Sequence, residues 1–209
     1  MSKLLQKDEL EKYAELRALI DGWKTLGEKT YPDGTRWIAH TPHCAPEAYL
    51  HHVFGPLEEE AIQTLQYTLE WDFPRNLKGF FQLHNGMSLF CSYLNVYGLR
   101  KSWSRTNALE FAQQPYSITD DNIEARPMGA PDNILFVGSL GNRRDLVGML
   151  PTGKILVFNE RTGAIQGNSH PGIFDFLLYE TRKARILFDD LGRRLDGSDI
   201  LPELTAFKA

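Results

Sequence analysis

The chain has 209 residues, of which 42% are apolar and 24% charged; this ordinary globular composition argues against disordered, collagen-like and membrane-embedded classes. At roughly 100–200 residues per domain the length fits one decorated domain. Lys and Arg number 23 against 27 Asp and Glu, a net charge of −4, so the chain lacks the basic balance of a nucleic-acid-binding domain and no direct nucleic-acid partner is expected.

Residues 7 to 22 read as an amphipathic helix: Leu16, Leu19, Ile20 and Trp23 share one face, acids gather toward the front, and Gly22 or Gly27 follows. From Glu28 to Gly55 the pattern is broken by Pro32, Gly34, Pro42 and Pro46. It reads as a long aromatic connection with one short strand or helix at most. Pro56 and the acids Glu58, Glu59 and Glu60 open a helix with Ile62, Leu65 and Leu69 on its buried face. Trp71 to Pro74 breaks it, and a second helix carries Leu77, Phe80, Phe81 and His84 until Asn85-Gly86 stops it.

Beyond Gly86 the period becomes strand-like. Leu89–Cys91 and Leu94–Leu99 predict two strands, and Asn107 to Gln113 predicts a helical turn or two ended by Pro115. Ser117 to Asp132 reads as loop. Ile134–Gly138, Leu146–Leu150 and Lys154–Phe158, separated by Gly- and Pro-containing turns, predict an antiparallel meander. A turn at Asn159 to Gly163 then leads to Ala164-Ile165, and a last helix is predicted from Ile173 to about Leu191, with Arg182, Lys183 and Arg185 in its second half. Helices at both ends of grouped strands give an α+β class, with a largely antiparallel central sheet of about five to six strands. No internal repeat is visible.

The chemistry motifs are sparse. His40, His43, Cys44, His51 and His52 form the one cluster of potential zinc ligands, but without paired cysteines or a helical two-histidine motif; partly exposed histidines in an aromatic loop are the favoured reading, and neither metal nor cofactor is expected. No nucleophile-elbow sequence occurs, Cys44 beside His43 is not thereby an oriented pair, and Cys91 in its predicted strand reads as a small buried hydrophobe. Gly138 to Arg144 reads as a charged hairpin turn rather than a phosphate cradle, because a strand and not a helix follows it. No catalytic apparatus is identified. Two cysteines are too few for a disulfide framework, the acid-bearing N-terminus lacks the ~7–15-residue apolar segment of a secretory signal, and no apolar run approaches ~20 residues, so a cytoplasmic location with no membrane contact is expected.

One stretch carries a resemblance. The acidic helix from Leu57, then Trp71 and Pro74, the helix with Leu77, Phe80 and Phe81, and the Asn85-Gly86 pair that opens the sheet resemble the signature region of the SUKH superfamily. Trp71, Pro74, Phe80, Asn85 and Gly86 are the matching positions, and helix start, core anchor and helix stop explain them structurally. The likeness weakens through the strands to the helix at 173–191 and implies a SUKH-like domain over 56–192, an N-terminal extension over 1–55 and a C-terminal tail over 193–209 packing on or beside it. It further implies an intracellular, non-catalytic protein-binding domain: a bacterial immunity protein that neutralises a polymorphic toxin by direct binding, or a regulatory scaffold akin to regulators of cell-wall synthesis. A metal-dependent enzyme using the His/Cys loop is the third alternative.

Overall fold

The first helix forms where its periodicity places it. In the computed structural model, which describes residues 4–102, 113–141, 145–159 and 161–195, α1 spans Lys7–Asp21 and buries Leu16 and Ile20. Its start is closed by the Glu9 carboxylate, which accepts the Gln6 backbone N–H at 2.7 Å. The remaining α-helices among the described residues are α2 (Glu59–Thr68), α3 (Arg75–Phe81) and α4 (Ile173–Arg185). Pro74 occupies the cap position of α3, whose Leu77, Phe80 and Phe81 are buried. Phe174 of α4 is the meeting point of three helices, lying 6.1 Å from the Phe80 ring and 6.0 Å from that of Tyr13 on α1. Lys12–Asp175 at 2.6 Å and Arg182–Glu15 pair α1 with α4 across the rim of that contact.

The sheet is a continuous antiparallel meander of nine strands in chain order: β1 (Glu28–Thr30), β2 (Arg36–His40), β3 (Tyr49–Val53), β4 (Met87–Leu89), β5 (Leu94–Val96), β6 (Leu135–Leu140), β7 (Asp145–Met149), β8 (Ile155–Phe158) and β9 (Ile165–His170). The α+β class and the antiparallel sheet agree with the sequence reading, whereas the strand number does not. Three of the additional strands lie in 28–55, read above as a connection. The prolines there occupy the turns between strands, and β2 and β3 are buried almost along their whole length; a strand covered on both faces has no alternation to display. Smaller differences follow the same logic. The fourth strand ends at Leu89 rather than Cys91, the last helix ends at Arg185, and a π-helical turn at Asp120–Glu124 interrupts the predicted loop. The helical turn expected at 107–113 falls almost wholly outside the described residues, as does the tail beyond Leu195.

Val53, Met87, Val96, Val147 and Val157 on one sheet face join the helices in the main core. On the other face a small second cluster forms from Ile134, Phe136, Leu146 and Phe158. Gly148 admits the Phe158 ring: a Cβ there would stand 2.6 Å from it.

The described parts of the long connection from β5 to β6 are held by two asparagines. The Asn85 amide accepts from the Leu99 N–H at 2.6 Å and donates to the Leu99 carbonyl at 2.8 Å. Asn122 does the same to Phe136, donating at 2.7 Å and accepting at 2.9 Å. Gly86 is needed beside the first clamp, since its φ is +96° and a Cβ would lie 2.6 Å from the Val96 carbonyl oxygen. Asn85→Ala removes both bonds of a side chain only 9% exposed. It is expected to lower unfolding stability by about 1–3 kcal/mol, read as a reduced urea midpoint at unchanged m-value; an unshifted midpoint would contradict the clamp.

A polar cleft at one end of the sheet

Ser88, Asn95 and Ser139 stand side by side on adjacent strands, on the face away from the main core, each less than a tenth exposed. Beside them the β4–β5 turn passes through three successive non-glycine residues in left-handed backbone: Phe90 (φ 56°), Cys91 (53°) and Ser92 (67°). Each such residue costs on the order of 1 kcal/mol or more, so the surroundings must hold the turn in place. They do so from several sides. The Cys91 N–H donates to the Leu50 carbonyl at 2.9 Å, the Phe90 N–H to His51 Nδ1 at 3.4 Å, and Asn95 Nδ2 to the Ser92 carbonyl at 2.9 Å. After α4 the chain returns to this end, stacking Phe188 5.2 Å from the Phe90 ring; the Trp23 indole N–H fixes it by donating to the Asp189 carbonyl at 3.0 Å.

Between these parts lies a cleft of about 760 Å³, walled by the 90–93 turn, Asn95 and Ser139 of the sheet, Tyr116 and Asp120 of the crossing connection, and Phe188 and Arg194 of the C-terminal segment. The orientation of the Asn95 amide follows from its partners: the Ser92 carbonyl is an acceptor only, so the nitrogen must face it, and Nδ2 also reaches Ser139 Oγ at 3.2 Å. Asn95 Oδ1 is thereby left buried with no hydrogen-bond partner among the described residues, and Asp120 Oδ1 is in the same position. Burial, with the charges of Glu124 and Asp121 nearby, raises the Asp120 carboxyl above its ordinary range, against the lowering effect of a Ser117 hydrogen bond and of Arg100. Tyr93, also on the cleft wall, is pushed up to about 12 by burial and by Glu180, partly offset by Arg194.

Both cysteines are free, exposed and on the cleft wall. Cys91 is not the buried strand residue expected from sequence, because the strand has already ended. Its sulfur is nonetheless partly withdrawn from water, and this withdrawal together with contact with the Cys44 thiol pushes it up to about 11; it is protonated near neutral pH.

The His/Cys cluster does not assemble. His40 Nε2 donates to the Pro46 carbonyl at 2.8 Å, and His43 and Cys44 occupy the exposed β2–β3 turn. His51 and His52 are neighbours on one strand and therefore point to opposite faces: His51 is fully buried against Phe90 and Trp23, while His52 stacks on Trp37 at 4.9 Å. Among the described residues no three His, Cys, Asp or Glu side chains are grouped to hold a metal ion. Of the family-motif residues, Trp71 packs against the core, Pro74 caps α3, Phe80 is fully buried, and Asn85 and Gly86 build the first clamp; none lines the cleft. The cleft residues escape sequence reading because they come from five separate segments. One signal was available: Asn95 and Ser139 are polar residues inside otherwise apolar strands. No helix among the described residues is long and apolar enough to cross a membrane. Comparison with family models and with curated proteins finds no match.

Three imidazoles stay neutral in the fold. Burial pushes His51 down to about 3 and His52 and His84 to about 4. In His84 the neutral ring is used at both nitrogens, accepting from the Tyr13 hydroxyl at 2.8 Å and donating to the Phe54 carbonyl at 3.3 Å. Below pH ~6.5 the unfolded chain takes up protons at these residues that the folded chain refuses, so their contribution is complete above pH ~7 and is lost as pH falls toward 4. Each histidine adds a slope of up to about 1.4 kcal/mol per pH unit within that window. Glu180 and Asp120, both raised, act in the opposite sense at the acidic end. Urea midpoints measured at pH 7.5 and 5 should therefore fall with pH, and equal midpoints would mean that the imidazoles titrate normally.

Proposed function

We propose that this chain is a non-catalytic protein-binding domain that engages its partner through the cleft at the end of the sheet, with neutralisation of a toxin domain, as the SUKH resemblance implies, as its role. The observation that carries the reading is the chemistry of the cleft wall. Amide and hydroxyl groups lie beside Phe90, Tyr93, Tyr116 and Phe188, a combination of aromatic area and adaptable hydrogen bonding typical of recognition surfaces. Its strongly perturbed groups, Cys91 and Tyr93, are held in their protonated forms, which suits donating hydrogen bonds rather than nucleophilic attack. The strained turn gives the wall a fixed shape, and a preformed wall loses little freedom on binding. A net charge of −4 is compatible with a cationic partner.

A scaffold that recruits partners through residues 1–55 alone is less well supported, because that segment supplies α1 and the first three strands of the same sheet. The test is co-expression with the toxin-like product of an adjacent reading frame. Host survival and recovery of a complex are expected. Tyr116→Ala, at a residue 45% exposed on the cleft wall, should weaken that complex at least about tenfold with the near-ultraviolet dichroism unchanged. Continued death with no complex, or a complex indifferent to this substitution, would overturn the reading.

A further inference from the structure

The two cysteines of the chain, Cys44 and Cys91, are far apart in sequence and meet on the cleft wall. Strand register brings them there. The β2–β3 ladder closes with His40 opposite Tyr49 and the β3–β4 ladder ends with His51 opposite Leu89, so the turns after β2 and after β4 leave the sheet at the same end. Each cysteine is held through its own backbone: the Cys44 N–H donates to the Thr41 carbonyl and the Cys91 N–H to the Leu50 carbonyl, both at 2.9 Å. Their side chains meet, the Cys44 thiol being the hydrogen-bonding neighbour of Cys91, and both residues are free and exposed. Two accessible thiols in contact on separate turns are placed for thiol–disulfide exchange.

We propose that Cys44 and Cys91 are a reversible modification site, oxidised by a low-molecular-weight disulfide of the glutathione class to an internal disulfide that latches the β2–β3 turn to the left-handed β4–β5 turn. The inference goes beyond the recognition reading and holds whether or not the cleft takes a partner. Cys44, on its exposed turn, reacts first: its thiolate attacks one sulfur of the small disulfide, whose S–S bond breaks, and the small thiolate leaves and takes up the proton that Cys44 released. Cys91 is the resolving sulfur. It loses its proton to water and attacks the capped Cys44 sulfur; the bond from Cys44 to the small thiol breaks, and the second thiolate leaves and is protonated in turn. Two protein thiols are thereby oxidised and one small disulfide is reduced to two thiols. The raised pKa of Cys91 fits this order: it carries little thiolate near neutral pH, and the part of the rise owed to the Cys44 thiol vanishes once that sulfur is capped. Closure is then an intramolecular step between groups already in contact.

The full chain is incubated with excess oxidised glutathione, and its thiols are counted by alkylation and intact-mass spectrometry. Both thiols should disappear together, leaving a single chain lighter by two hydrogens, with Cys44 and Cys91 linked in the peptide map and both thiols recovered on adding dithiothreitol. Cys91→Ser should stop at one glutathione on Cys44, whereas Cys44→Ser should take up glutathione at least about tenfold more slowly. Should either variant fail to fold, the unaltered chain decides: closure should be at least about tenfold slower in denaturing urea, where the contact is lost. Hydrogen exchange over residues 41–48 and 90–93 should slow on oxidation and recover on reduction. Thiols left free under excess oxidant, a lasting glutathione adduct, a disulfide between two copies, or closure as fast in urea would overturn the site. Equal reaction of the two variants would overturn the order of attack, and unchanged exchange would overturn the latch. An internal disulfide in a chain that captures no toxin partner leaves the site standing and counts only against the immunity reading.

Discussion

The architecture depends on one kind of bond: an asparagine amide that donates to and accepts from the backbone of a single residue elsewhere in the chain. Asn85 does this to Leu99 and Asn122 to Phe136, so each side chain acts as one residue of a missing strand. The described parts of the β5–β6 connection include the π-helical turn Asp120–Glu124 and are held at Leu99 and at Phe136 by these clamps. So pinned, the connection brings Tyr116 and Asp120 onto one cleft wall with Asn95 and Ser139. Without the two clamps the cleft would have no outer wall.

A second constraint acts from within. Burying His51, His52 and His84 leaves their rings neutral, and the neutral form makes the bonds that tie distant segments together. His84 joins α1 to the segment after β3 through Tyr13 and Phe54, and His51 receives the N–H that opens the left-handed turn. His51 and His52, which look from sequence like potential ligands, thus serve chiefly as packing groups in a strand buried along nearly its whole length.

The left-handed turn connects stability to function. Three residues in an unfavourable backbone region persist because Leu50, His51, Asn95 and Phe188 all hold them. The result is a cleft wall of fixed shape beside the buried amide of Asn95.

Much of the scaffold was legible in the amino-acid order, because helix periodicity, acidic helix starts and Gly-containing turns are local signals. Those signals place α1, α2, α3, the β6–β8 meander and the start of α4 within a few residues, while α4 ends six residues before the predicted Leu191. The Pro74 to Gly86 segment likewise reads as helix start, core anchor and stop. β1 was hidden because it is three exposed residues long, β2 and β3 because strands buried along nearly their whole length carry no alternation, and all three because prolines in their turns looked like breaks in structure. The second role of Asn85, as a clamp on Leu99 fourteen residues away, has no local signature at all. Nor does the cleft, since Asn95, Tyr116, Asp120, Ser139 and Phe188 become neighbours only when the connection is laid over the sheet and the chain returns after α4. Sequence alone determined the class of fold and most of its helices; tertiary packing alone decided which polar atoms were buried without partners among the described residues, because hydrogen-bond satisfaction belongs to the folded arrangement and not to any one segment.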